Sequence, residues 1–147
     1  MTDELRLRAV DAEDLAVIAA MLQDARLPIA EMAFDVEARR FMAAFLRYCR
    51  ERCADGGDPP ECTTVLVFDH VTAAHWRGLD PDAPTATHQL LTILPDDENA
   101  GDELTVTLVF HGGEAIRLTM ERIDCHLHDL GVVQPPAAAD ASLADSG

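Results

Sequence analysis

The chain has 147 residues, 27 acidic against 11 basic, and a formal net charge of −16. Every basic residue is arginine, so Schiff-base catalysis, pyridoxal phosphate attachment and the phosphate-gripping lysine of a P-loop are excluded. The acidity disfavours nucleic acid and anionic lipid, and no apolar run approaches the ~18 residues of a membrane span.

The length and the 48% hydrophobic content predict one domain over 1–131. Beyond it, 132–147 is rich in Ala, Pro, Asp and Ser and reads as a disordered tail. The acidic, polar Met1-Thr2-Asp3-Glu4 is neither a secretory signal nor a transit peptide, so a cytoplasmic location with reduced thiols is expected.

In chain order, Leu5, Leu7 and Ala9 alternate with Arg6 and Arg8 as a first strand. Asp11 is an N-cap, and Leu15, Ile18, Ala19, Leu22 and Ala25 recur at helical spacing, predicting a helix from Ala12 to Asp24. Ile29 to Phe34 reads as a short strand. Arg40 to Arg52 is ambiguous. Phe41, Phe45 and Cys49 fit a helix, while Phe41, Ala43, Phe45 and Arg47 alternate with Met42, Ala44, Leu46 and Tyr48 as in a strand. The turn-like Asp35-Val36-Glu37 before it favours the strand.

Ala54 to Pro60 is a loop, Thr63 to Val71 a β-rich run, Gly78 to Pro84 a loop, and Thr87 to Leu94 a strand. Leu104, Val106, Leu108 and Phe110, then Ile116, Leu118 and Met120, form the inward period of a hairpin turned by His111-Gly112-Gly113-Glu114. Ile123, Leu127 and Leu130 follow at i, i+4 and i+7, predicting a closing helix ended by Gly131. The expected fold is therefore α+β. A mainly antiparallel, curled sheet of about six to seven strands carries an N-terminal helix and a C-terminal capping helix, in the manner of pleckstrin-homology-like domains.

Four stretches carry a family resemblance. They are Asp11-Ala12-Glu13-Asp14-Leu15-Ala16-Val17-Ile18 with Leu22-Gln23-Asp24-Ala25; Arg40-Phe41; Phe68-Asp69-His70-Val71 with Arg77-Gly78-Leu79-Asp80; and Gly112-Gly113-Glu114-Ala115-Ile116-Arg117-Leu118 with Leu127-His128-Asp129-Leu130-Gly131. Together they resemble an uncharacterised family of small alphaproteobacterial proteins, the domain of unknown function 2948. The resemblance implies a bacterial origin, supports the strand reading of Arg40 to Arg50, and brings no activity or catalytic residue with it. Cys49 to Cys62 departs from the family pattern.

The residues that could carry chemistry are few. Cys49 and Cys53 would lie ~5–6 Å apart on a helix, close enough to share an ion. On a strand they would be ~13 Å apart and could not. Cys62 and His70 could complete such a set, but the spacing lacks the tight pairs of structural zinc sites. On a closing helix His126 and His128 point ~200° apart and cannot face one ion, so a surface pair of His128 with Asp124 is expected. The only serines, Ser142 and Ser146, lie in the tail, which removes a serine hydrolase. Asp96, Asp97, Glu98 and Asp102 lack the pattern of a calcium loop.

No catalytic constellation, cofactor or metal site is therefore expected. The reading is a small cytoplasmic domain that binds or scaffolds an unidentified protein partner, with no nucleic acid and no membrane. The alternative is a metal-binding or cysteine-dependent enzyme using Cys49, Cys53 and Cys62 with a histidine. The partner-binding residues expected are Trp76, the only tryptophan, and its neighbour Arg77.

Overall fold

The structure is a computed structural model that describes residues 6–48, 61–80, 82–83, 85–96 and 104–132. The elements in chain order are β1 (Arg6–Ala9), α1 (Ala12–Leu22), β2 (Arg26–Pro28), a 3-10 turn (Ile29–Glu31), β3 (Met32–Asp35), β4 (Arg40–Tyr48), β5 (Glu61–Phe68), β6 (Val71–Arg77), β7 (Thr87–Asp96), β8 (Leu104–Phe110), β9 (Ala115–Met120) and β10 (Cys125–Val132). Asp11 caps α1 by accepting from the Asp14 amide at 2.8 Å. The helix stops two residues short of the expected end, because Asp24 adopts a left-handed φ of 70°.

All pairings are antiparallel. The strands form one open sheet in the order β1-β10-β5-β4-β2-β7-β8-β9-β6, with β3 paired to β4 off this path. Strand β2 joins the two halves, touching β4 at Arg26↔Leu46 and β7 over three residues. Helix α1 packs on β1 and β7 and contributes Leu15, Ile18 and Leu22 to the core. Phe41, Phe45, Phe68 and Phe110 fill the rest from β4, β5 and β8.

The described part of the ambiguous stretch, Arg40–Tyr48, is a strand, as expected, with Phe41, Ala43, Phe45 and Arg47 buried on one face; Cys49 to Arg52 lie outside the described residues. The β8–β9 hairpin also has the expected inward period, and Gly113 takes a left-handed φ of 93° in its turn.

Two expectations are corrected. The sheet has ten strands among the described residues, because the run from Thr63 to Val71 divides into β5 and β6 and because Arg26–Pro28 and Cys125–Val132 are strands that were not expected. There is no closing helix, which removes the pleckstrin-homology-like comparison; residues 125–132 are β10, inserted between β1 and β5. There Cys125, Leu127 and Asp129 face inward, while His126, His128 and Leu130 face outward. Leu130, expected on a buried stripe, is 58% exposed. Val132, at the end of β10, pairs with Cys62.

Two links carry the chain between the halves of the sheet, Asp69-His70 after β5 and residues 121–124 before β10. They run side by side. The Asp69 amide donates to the Asp124 carbonyl at 2.9 Å, and the Glu121 amide to the His70 carbonyl at 3.1 Å. His70 takes a left-handed φ of 64° as β5 leaves one half for the other.

Candidate functional site

Two groups of side chains stand out, one on the β6 edge and one at the paired links.

Among the described residues strand β6 pairs only with β9, so it is a sheet edge there. Trp76 lies opposite the buried Ile116 and so falls on the inward period, yet it is 44% exposed because no strand covers it. It lines two concavities. One is an apolar slot of about 280 Å³, with Ile29, Met32, Phe34 and Phe41 among its walls. The other, of about 430 Å³, lies toward the outer face of β8, β9 and β6 and gathers His75, Arg77, Arg117, Thr105, Thr107 and Asp96. His75 sits directly across from Arg117, and Arg77 is one diagonal step away.

Two of the charges in this cleft, Arg77 and Arg117, stand apart from the other described arginines. Arg8, Arg26, Arg39, Arg40 and Arg47 are ion-paired with Asp124, Glu61, Glu121, Asp69 and Asp129. Arg77 and Arg117 have no carboxylate in ion-pair range among the described residues. Like-charged neighbours across a strand pair are unfavourable unless something neutralises them. Arg77 was legible in the sequence beside Trp76. Arg117 was not, because only the β6–β9 register brings it there.

At the links, Asp69, Asp124 and His126 each offer one ligand-type atom within 4.8 Å of the others. His126 Nε2 lies 3.3 Å from Asp124 Oδ1 and 4.0 Å from Asp69 Oδ2. Arg40 Nε donates to Asp69 Oδ1 at 2.8 Å, and this partner raises the pKa of the guanidinium. His70 Nε2 is 3.3 Å from Asp124 Oδ2 and 2.9 Å from Arg122 Nη2. The wrong secondary structure hid this group. On a strand, Asp124, His126 and His128 share a face at i, i+2 and i+4, so the expected Asp124–His128 pair is replaced by Asp124–His126.

The cysteine–histidine alternative is not supported. Cys62 is disulfide-bonded, which also corrects the expectation that every thiol is reduced; Cys49 and Cys53 lie outside the described residues. No Cys/Cys/Cys/His set occurs among the described residues. Cys125 is a free, buried thiol whose pKa is raised by desolvation and then by Asp124 and Asp69, so it is a poor nucleophile. His111 Nε2 lies 2.8 Å from Asp24 Oδ1. Asp96 ends β7, and the rest of the acidic loop lies outside the described residues.

No helix among the described residues is long and apolar enough to cross a membrane. No curated protein and no solved structure matches the chain. A family model does match, over residues 5–141, under the description protein of unknown function (DUF2948). The chain therefore belongs to the family of unknown function that the stretches around Asp11, Arg40, Asp69 and Gly112 resemble.

Proposed function

We propose that the protein is a non-catalytic recognition domain that grips an acidic segment of a protein partner along β6. The observation that carries this reading is the pair Arg77 and Arg117, which line one cleft with Trp76 and have no carboxylate partner among the described residues. In a chain of net charge −16, two arginines out of ion-pair range of any described carboxylate are conspicuous although Asp96 lines the same cleft, and an acidic peptide would supply the missing charge. An unpaired strand edge adds a row of backbone groups to which an extended segment can bond, and the apolar slot beside Trp76 can take a side chain. Phosphate backbones carry the same charge, but the acidic excess repels a long polyanion, so nucleic acid is not the partner in this reading.

We place the domain in the cytoplasm, where the reducing pool would open the Cys62 bond. Cys62 lies on β5, outside the lining of both clefts, so binding does not depend on it.

Trp76 is its own reporter, being the only tryptophan. Titrating the protein with a short peptide rich in Asp and Glu should shift its fluorescence, and added salt should weaken the effect. A peptide rich in Arg should do nothing. Arg77→Ala with Arg117→Ala should abolish the response, and Trp76→Ala with Arg77→Ala should abolish capture of the peptide. An equal response to both peptides, or capture unchanged in the variants, would overturn the reading.

A further inference from the structure

We propose that Asp69, Asp124 and His126 form a binding site for a divalent transition-metal ion, separate from the β6 cleft. The scaffold is fixed before any ion arrives. Cys125 pairs with Phe68, and the Asp69 amide bonds to the Asp124 carbonyl, so the three side chains leave paired backbone. Ligands held about 2.0–2.2 Å from one ion stand roughly 3–4 Å from each other. The contacts of His126 Nε2, at 3.3 Å to Asp124 Oδ1 and 4.0 Å to Asp69 Oδ2, fall in that range.

A second observation points to a cation. Asp124 Oδ1 is buried and makes no hydrogen bond among the described residues. Its neighbours are His126 Nε2 at 3.3 Å and Arg8 Nη2 at 3.4 Å, and neither is placed to donate to it. Arg8 gives this oxygen an ion pair but no hydrogen bond, so the side chain, 14% exposed, still has a lone pair to offer a cation.

The outer contacts suit the role. Arg40 holds Asp69 by Oδ1 and leaves Oδ2 facing His126. His70 Nε2 accepts from Arg122 Nη2 at 2.9 Å and lies 3.3 Å from Asp124 Oδ2. Such second contacts orient ligating carboxylates. One imidazole with two carboxylates suits zinc, cobalt or manganese better than calcium or magnesium, which prefer oxygen alone. The competitor is Arg8, whose side chain is 62% exposed and approaches the same Asp124 oxygen. It must swing away when an ion enters.

The test is calorimetric titration of the untagged full chain with zinc chloride, with cobalt chloride followed by visible absorption in parallel. One equivalent should bind. Asp124→Asn and His126→Gln should each weaken binding roughly tenfold or more. Arg8→Gln should tighten it, and His75→Gln, on the β6 edge, should leave it unchanged. His126 is 44% exposed, so His126→Gln tests the site even if Asp124→Asn misfolds. No zinc binding, or binding undiminished in His126→Gln and Asp124→Asn, would overturn the site. Calcium bound as tightly as zinc would overturn the ion class.

Discussion

Arg47 and Asp129 meet across β5, 5% and 0% exposed, with Arg47 Nη2 at 3.2 Å and 3.1 Å from the two carboxylate oxygens. Thr64, on β5 between them, accepts from Arg47 Nε at 3.0 Å and donates to Asp129 Oδ1 at 2.6 Å. Three adjacent strands are thus tied by inward polar groups in an otherwise apolar interior. Asp129→Ala would leave a buried guanidinium short of its counter-charge and should cost about 3–5 kcal/mol. Thr64→Val removes hydrogen bonds only and should cost about 1–3 kcal/mol. Urea midpoints of the two variants give the ranking.

Phe110→Ala and Leu118→Ala each empty a fully enclosed position of the central hairpin. Each should lower stability by about 2–5 kcal/mol in chemical denaturation. Midpoints like that of the unaltered protein would contradict the packing.

Cys125 should make stability fall in alkali. Its folded-state pKa is raised above the ordinary 9.0 by burial, so the unfolded chain loses this proton first. Its contribution is complete below pH 9.0 and declines as pH rises from there. Cys125→Val should reduce the alkaline decline relative to the unaltered protein. In the folded state Cys125 should also resist thiol reagents until denaturant is added.

Truncation after Val132 should leave the melting temperature nearly unchanged, because residues 133–147 contain few large apolar side chains. Cutting before Cys125 instead removes the sheet neighbour of β1 among the described residues and should unfold the domain.

The parts legible in the sequence are those where polarity and pleat agree. Leu104 to Met120 alternates cleanly, and the hairpin follows. Residues 123–130 mislead because Asp129 occupies an inward position, breaking the apolar alternation, while Ile123, Leu127 and Leu130 happen to fall at helical intervals. The acid is tolerable there only because Arg47 and Thr64 meet it, and those partners lie far away in the chain. The candidate sites divide in the same way. Trp76 and Arg77 announce themselves by residue type. Asp69 and Asp124 become neighbours only through the two links, which no local pattern encodes.

The place of β10 sets an order of events during synthesis. Strand β1 is made well before β10, its sheet neighbour among the described residues. A nascent chain leaves the ribosome with β1 and the outward edge of β5 both waiting for a strand that has not yet appeared. Those waiting edges are the surfaces on which a growing chain is most open to wrong pairing. Placing β10 between β1 and β5 is non-local pairing, the kind that forms slowly.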